Sequence, residues 1–160
     1  MPIRKTDKGW WWGKSGPYPT KAKALAVGRA AYASGYKEGE EMATNCANFV
    51  ITLMHSVTGA HVLHLQTRSY AMHQALGEFY SAIGDLADDL AEGYQGKYGL
   101  IEGYPNGFVV PTGAIEYLIM LAEYVETNRY TDFEDTYLQN IVDEILKLIY
   151  STLYKLRMLS

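Results

Sequence analysis

The sequence predicts an all-α protein, in which a bundle of four helices with one long crossover follows a short N-terminal arm and helix. Apolar residues recur three and four positions apart through most of the chain after residue 40, as they do in amphipathic helices. A stretch rich in glycine and proline, residues 93–111, interrupts this pattern once. The expected organisation is therefore an arm over residues 1–40 and a helical body over residues 41–160.

The arm is predicted to be an aromatic loop followed by a short helix. Glycines and prolines punctuate residues 13–19, which favours a loop. Thr20 is expected to cap a helix over residues 21–34, and Gly35 to end it. Because three adjacent tryptophans would be costly to leave exposed, the arm is expected to be a separate docking element that packs on a partner or on the body. Its candidate residues for binding a partner or nucleic acid are Trp10, Trp11, Trp12, Lys8, Lys14, Lys21 and Lys23.

Charge divides the chain at nearly the same place. Residues 1–37 hold eight basic residues and one acidic residue, a formal charge of +7. Residues 38–160 hold six basic and seventeen acidic residues, a formal charge of −11. A basic arm on an acidic body can meet DNA, the acidic surface of another protein, or its own body. The composition leaves these three possibilities open.

The body divides into four helical stretches. The first covers about 41–65 and the second about 69–94, while the third begins after Pro111. The fourth is expected to begin at Thr131, because Glu134 three residues later completes a capping-box pattern. Short gaps join the first stretch to the second and the third to the fourth, so each pair is expected to be antiparallel. The long gap between the second and third is typical of a ferritin-like bundle.

Three residues of the second stretch indicate a metal site between two subunits. His73 and Asp88 are fifteen positions apart, roughly 22 Å along a helix, so one chain cannot bring both to one ion. Asp88 and Glu92 are four apart and share a face. Two antiparallel copies related by a two-fold axis would place His73 of one against Asp88 and Glu92 of the other. The chain has no Glu-x-x-His motif, so a site inside one bundle is not expected.

The stretch containing these residues resembles the miniferritins, the Dps family of DNA-binding proteins. In that family, one subunit supplies a His from each of its first two helices, and an Asp-x-x-x-Glu pair comes from its two-fold mate. His73, Asp88 and Glu92 match the second-helix residues in type and spacing. The first-helix ligand is either His61, which has the family's separation from His73, or His64, whose context HLQT is closer to the family's.

The chain departs from the miniferritin pattern at Gly77, where the family has an Asp. The remaining imidazoles and carboxylates suit Fe(II), with Zn(II) or Mn(II) as alternatives. The resemblance therefore implies a homo-oligomer with two-fold interfaces that binds one divalent metal, iron first among the candidates. It leaves open whether the protein is an enzyme, and any ferroxidase activity is expected to be weak.

A second resemblance covers nearly all of the chain. The string GWWWGKSGPYPTKAKALAVGRAAYASGYKE resembles a segment of small proteins from tailed bacteriophages, and HLQTRSYAMHQALGEFY with YSTLYKLRML resembles a phage family with a ferritin-like body. It implies a phage protein in the host cytoplasm or the virion. Two further functions stay open: a non-catalytic structural or host-interaction protein, and a module that binds DNA or another phage protein through its arm. The lone Cys46 suits a reducing compartment, and neither a secretory signal nor a membrane contact is expected.

Overall fold

The computed structural model describes residues 3–12, 15–26, 40–105 and 107–159. The chain forms two compact units, Met1–Glu41 and Met42–Ser160. The body is helical, as the sequence predicts, whereas the arm contains a small sheet that was not predicted. The strands are β1 (Ile3–Thr6), β2 (Gly9–Trp12) and β3 (Ser15–Tyr18), and the long helices are α1 (Glu40–Gln66), α2 (Tyr70–Tyr98), α3 (Ala114–Asp132) and α4 (Thr136–Met158).

The arm is built on a three-stranded antiparallel sheet, in the order β1-β2-β3, where a loop was expected. In the first pair, Arg4 lies opposite Trp11 and Lys5 lies opposite Trp10. In the second pair, Trp10 lies opposite Tyr18. Residues opposite each other in adjacent strands share a face of the sheet. Trp10 therefore shares one face with Lys5 and Tyr18, and Trp11 shares the other face with Arg4.

Two residues fix the geometry of this unit. Gly9 begins β2 with a φ of +134°, and a Cβ there would lie 2.8 Å from the carbonyl oxygen of Tyr18. Only glycine allows this backbone conformation and close approach without strain. Residues 21–26 are helical, and Thr20 caps them as predicted, because its Oγ1 accepts a 3.2 Å hydrogen bond from the Lys23 N–H. The remainder of the predicted helix, residues 27–34, and its expected end at 35 lie outside the described residues.

The first two long helices form an antiparallel hairpin joined by residues 67–69, as predicted. His64 of α1 lies beside Gly77 of α2, and the earlier Val57 lies beside the later Gly84. A Cβ added at Gly84 would be 3.7 Å from Val57 Cγ2, and one added at Gly77 would be 3.4 Å from His64 Cε1. Both distances are ordinary van der Waals contacts, so α1 and α2 are in direct contact at these two levels.

Helix α1 is also antiparallel to α3. Phe49 packs on Tyr124 with ring centroids 5.8 Å apart. Gly59, ten residues later in α1, lies against Tyr117, seven residues earlier in α3. Burial raises the pKa of Tyr117 to about 12, because the ionised phenolate is poorly solvated there.

Helix α4 completes the bundle by packing antiparallel to α2. Lys155 near the end of α4 forms an ion pair with Glu78 near the start of α2. Leu138 near the start of α4 lies 3.2 Å from the position of a Cβ at Gly93, towards the end of α2. The partly exposed ion pair contributes little to stability, so burial of the apolar faces holds these helices together.

The prediction that Thr131 begins the fourth helix is wrong, because α3 continues past this residue. The chain turns at Phe133, whose side chain is fully buried in the core, and Asp135 occupies the N-cap position of α4. Arg129 of α3 then bonds to Asp143 of α4 at 2.5 Å, so α4 runs back along α3. The burial of one aromatic ring therefore places the turn, in preference to the local capping pattern.

The end of α2 is tied to the start of α4 by three polar side chains. Lys97 Nζ lies 2.5 Å from Asp135 Oδ1, and the Tyr98 hydroxyl donates to Asp135 Oδ2 at 2.6 Å. The bonds from Lys97 and Tyr98 hold the pKa of Asp135 below its usual value. The bond to Asp135 likewise raises the pKa of Lys97.

The described residues of the crossover between α2 and α3 run alongside part of α1. Ile101 at its start is buried, Phe108 lies 5.2 Å from the ring of His55, and Pro111 lies 3.2 Å from the position of a Cβ at Gly59. Phe108 and the later Pro111 therefore contact adjacent turns of α1, so this part of the crossover runs in the same direction as α1. Because α2 and α3 are both antiparallel to α1, they are parallel to each other. The crossover must therefore carry the chain from one end of the bundle to the other.

The four helices share one apolar core, whose largest buried side chains include Phe49, Phe79 and Phe133. Phe49 and Phe133 meet edge to face with ring centroids 4.9 Å apart. Among the described residues, one stretch, Cys46–Gln66 of α1, is long and apolar enough to cross a membrane, but half of it is buried within the bundle. This burial is what a core helix requires, so the stretch is weak support for a membrane span.

The body is expected to fold without the arm, because all described members of its core cluster lie between residues 46 and 156. Deletion of residues 1–39 should leave the helical circular-dichroism spectrum and a single cooperative thermal transition. Loss of helicity or of cooperativity in the truncated protein would mean that the arm belongs to the core.

Two glycines offer a matched test of the packing. Gly96→Ala is expected to raise the free energy of unfolding by up to about 1 kcal/mol, because nothing lies within 4 Å of the new methyl group and alanine favours a helix. Gly59→Ala is expected to be less favourable than Gly96→Ala by about 1 kcal/mol or more, because its methyl group would lie 3.0 Å from the hydroxyl of Tyr117 and 3.2 Å from Cγ of Pro111. Chemical denaturation measures both changes, and equal effects would contradict the close contact between α1 and α3.

Candidate metal centre

His64 near the end of α1 and His73 in the first turn of α2 lie face to face. Their ring centroids are 3.6 Å apart and their planes are inclined by 22°. The connecting turn is held by Ser69, whose Oγ accepts a 3.3 Å hydrogen bond from the Met72 N–H and caps α2. The short capped turn therefore sets the register that brings the two histidines together.

The two histidines form reciprocal hydrogen bonds with each other's backbone. Nδ1 of His64 lies 2.7 Å from the carbonyl oxygen of His73, and Nδ1 of His73 lies 3.1 Å from the carbonyl oxygen of His64. Since a carbonyl oxygen can only accept, both Nδ1 atoms carry the proton. In the neutral rings both Nε2 atoms then keep their lone pairs. A metal-bound histidine usually has this arrangement, with the other ring nitrogen donating to a carbonyl or carboxylate.

The stacked geometry limits which rings can bind the same ion. Two imidazoles on one ion, each with a metal–nitrogen distance of about 2.1 Å, have ring centres roughly 5–6 Å apart. The nearly parallel His64 and His73 rings are closer than this, and their in-plane lone pairs do not converge. His61 and His64 have a suitable separation, with centroids 5.8 Å apart and planes inclined by 65°. Both members of the stacked pair can bind one ion only if the stack opens.

Tyr80 completes the cluster, and the sequence analysis did not identify it. Its ring stacks on His61 at a centroid distance of 4.4 Å and meets His64 edge to face at 5.3 Å. Tyr80 follows His73 by seven residues, about two helical turns, so the two share a face of α2. The seven-residue spacing is the feature of the sequence from which the position of Tyr80 beside His73 could have been predicted.

Gly77 has a packing role at this site. A Cβ there would lie 3.4 Å from Cε1 and 3.5 Å from Nδ1 of His64, at ordinary van der Waals distance. An alanine therefore fits, whereas a longer side chain must pass along the edge of the ring. The residue that departs from the miniferritin pattern is thus the one that faces His64.

The carboxylates of the predicted site lie elsewhere on the same helix. Asp88 and Glu92 are exposed on α2, and α2 continues unbroken from His73 to both of them. Across the described parts of the chain, no group of three or more His, Cys, Asp or Glu side chains is arranged to hold a metal ion. One chain thus has a histidine cluster near the start of α2 and an acidic pair further along the same helix. Their meeting across a two-fold axis stays a prediction.

The candidate residues of the arm lie on or beside the sheet. Trp10 and Trp11 are half-buried, whereas Lys8, Lys21 and Lys23 are exposed. Lys14 and the side chain of Trp12 lie outside what the structure describes. Two further cations, Arg4 and Lys5, lie on β1 and were not among the predicted binding residues. Their position in the sequence, one short turn before Trp10–Trp12, could have indicated that they lie beside the tryptophans.

The fold and the site together define a helical-bundle protein with a histidine cluster beside the turn between α1 and α2. The chain belongs to DUF5856, a family of unknown function, whose model matches residues 64–156, more than half of the chain. It is also 28% identical over 98 residues to the "Uncharacterized 14.6 kDa protein in mobD-ri intergenic region" of Enterobacteria phage T4, covering 60% of this chain and 75% of that protein. No solved structure matches. The phage link in the sequence resemblance is supported, while neither match names a ferritin or a Dps protein.

The hydrogen-bond pattern predicts a specific tautomer for the stacked pair. Both His64 and His73 should carry their neutral-ring proton on Nδ1, because both Nδ1 atoms face carbonyl oxygens. Long-range nitrogen–proton correlation spectra of the imidazoles identify the protonated nitrogen directly. His61, which stacks on Tyr80, serves as the comparison within the same protein. An Nε2 proton on either member of the pair would contradict the arrangement.

Proposed function

We propose that the protein is an oligomeric, ferritin-like bundle that binds a divalent metal ion between two subunits. The ion is Fe(II) first, with Zn(II) or Mn(II) as alternatives, because the donor set mixes imidazole and carboxylate. The histidines come from one subunit, and Asp88 and Glu92 come from its two-fold mate. As a phage protein it acts in the host cytoplasm or in the virion.

The observation that carries the proposal is the reciprocal pair of Nδ1–H···O=C hydrogen bonds. Both Nε2 atoms are left as acceptors in rings whose orientation is already fixed. Histidines held in this way need less ordering when they bind an ion, and partners of this kind commonly alter metal affinity 10–100-fold. His64 and His61, at the appropriate ring separation, are the ligands in the closed cluster, and His73 orients His64.

The connectivity of the body supports the ferritin-like assignment. Neighbouring helices are antiparallel, two short hairpins are formed by α1–α2 and α3–α4, and one long crossover joins parallel helices. A ferritin-like bundle has this arrangement. Fold alone does not establish activity, so the proposal of metal binding rests on the histidine cluster and the acidic pair.

Oxidation of Fe(II) at this site is expected to be weak. Gly77 supplies no carboxylate beside His64, so the donors suit one ion rather than two. With O2 as the oxidant, a single bound ion gives up one electron at a time, without a neighbouring iron to share the reduction. Binding and retention of the ion are therefore the main function, and catalysis is secondary.

Calorimetric titration of Fe(II) into the metal-free, full-length protein without oxygen tests the ligand set. His64→Ala and Glu92→Ala are expected to weaken binding at least ten-fold, the lower end of what losing even a supporting partner costs. His55→Ala and Asp89→Ala are the matched controls, because they remove a histidine of α1 and an acid of α2 outside the proposed set. Gly77→Asp should tighten binding, while Gly77→Ala should leave it unchanged.

A heterodimer of two variants that each bind Fe(II) weakly tests whether the site lies between subunits. A dimer of one His64→Ala subunit and one Glu92→Ala subunit keeps one site with both donor types intact. Half of the wild-type stoichiometry should therefore return in the heterodimer, prepared by co-expression with two affinity tags. If every variant binds Fe(II) equally, or if the wild-type protein is a monomer, the proposal is wrong.

The second candidate function is a non-catalytic structural or host-interaction protein that keeps the bundle. The stack of His64 on His73 favours it, because two rings held face to face do not direct both Nε2 lone pairs towards one ion. In this alternative the pair only joins α1 to α2. Absence of Fe(II), Zn(II) and Mn(II) binding by the wild-type protein would support it.

A further inference from the structure

The arm presents cations on and beside a small three-stranded sheet. In the described ranges 3–12 and 15–26, the basic residues Arg4, Lys5, Lys8, Lys21 and Lys23 are exposed, and Asp7 in the turn between β1 and β2 is the one acidic residue. The sheet and the first turn of the following helical segment therefore carry a dense positive charge. Such a surface attracts a polyanion and repels other basic surfaces.

Three of these cations lie over tryptophan rings. The guanidinium carbon of Arg4 lies 5.4 Å from the ring centroid of Trp11. The ammonium groups of Lys5 and Lys21 lie 5.7 Å and 5.6 Å from the ring centroid of Trp10. These distances are within the range of a cation–π interaction. The sheet register enforces two of the contacts, because Arg4 lies opposite Trp11 and Lys5 lies opposite Trp10.

Trp11 is in turn held by a hydrogen bond to β1. The Trp11 indole N–H donates a 2.9 Å hydrogen bond to Thr6 Oγ1, which also accepts from the Lys8 N–H at 3.3 Å. A cation that rests on a fixed ring loses less conformational freedom when it meets an anion than a free lysine side chain does. The tryptophans thus act as supports that position charge.

We propose that the arm binds nucleic acid through its phosphate backbone, with Arg4, Lys5 and Lys21 as phosphate ligands positioned by Trp10 and Trp11. The proposal is independent of the metal site and concerns a different unit of the chain. Nucleic acid is the partner because it offers a regular, dense row of anions, with one phosphate per 3.4 Å of each duplex strand.

A protein partner fits this surface less well. The centre of a protein–protein interface is depleted of charged residues and offers its aromatic side chains directly. Here Trp10 and Trp11 are half-buried and have cations over their rings, so an incoming molecule meets charge first. For the same reason the rings are not open platforms for stacked bases. Binding should therefore depend on phosphate contacts and on salt rather than on base sequence.

Fluorescence anisotropy of labelled 20-nucleotide DNA, as duplex and as single strand, with the full-length protein over a series of salt concentrations tests the proposal. Arg4→Gln, Lys5→Gln and Lys21→Gln should each weaken duplex binding roughly five- to ten-fold at 0.1 M salt and reduce the salt slope by about 0.9, the loss expected for one phosphate contact. Lys147→Gln, an exposed lysine of α4, is the matched control and should change neither quantity.

The supporting role of Trp10 has a separate readout. Trp10→Leu should weaken binding while leaving the salt slope unchanged, because the cations remain but are no longer held. Trp10→Phe keeps a ring beneath the cations and should retain most of the affinity, which guards against a loss of folding in the leucine variant. Two DNA sequences of equal length should bind equally.

Three outcomes would overturn the proposal. The first is no binding of either DNA form. The second is a reduction in slope by Lys147→Gln as large as that caused by Lys5→Gln, since the acidic body would then share the contact. The third is displacement of DNA by poly-glutamate as effective, per charge, as displacement by unlabelled DNA, which would indicate an acidic protein partner.

Discussion

The body depends on the requirement that each helix bury its apolar face against neighbours running in the opposite direction. Helix α1 is antiparallel to both α2 and α3, and α4 is antiparallel to α2. Since α2 and α3 are consequently parallel, no tight turn can join them. The chain must return from one end of the bundle to the other, and α1 provides the surface for that return. Phe108 beside His55 and Pro111 beside Gly59 mark the path.

The same close packing creates the histidine cluster. Helices α1 and α2 are in contact at Gly77 and Gly84, and the short turn between the helices brings His64 and His73 to the same level. The reciprocal hydrogen bonds then orient both rings and leave the lone pairs of both Nε2 atoms available. Because the rings are stacked, these two lone pairs do not point towards one position. The contact between His64 and His73 therefore both orients the two rings and prevents them from binding the same ion. An ion held by both rings would have to separate them, whereas an ion held by His61 and His64 would leave the stack intact.

The sequence predicted the helices well because their apolar stripes are long and the glycine-rich gap is unambiguous. The start of α4 was misplaced because a local capping pattern at Thr131 competes with the burial of Phe133, which only the assembled core reveals. The sheet was missed because three adjacent tryptophans hide the alternation of a strand, and because Pro17 within β3 is typical of a loop. The spacing of His73 and Asp88 was enough to exclude a site within one chain. The contact of His64 with His73 was not predictable, because it depends on the relative offset of two helices.

The two short connections of the body also determine the order in which its contacts can form. Three residues close the α1–α2 hairpin and three close the α3–α4 hairpin, so each pair can assemble soon after its residues leave the ribosome. Contacts this close in sequence favour rapid folding. Docking of the two hairpins is different, since it must wait until the crossover and α4 have been synthesised. Before that step, the apolar face of the first hairpin has no partner, and this interval is when the nascent chain is most exposed to aggregation.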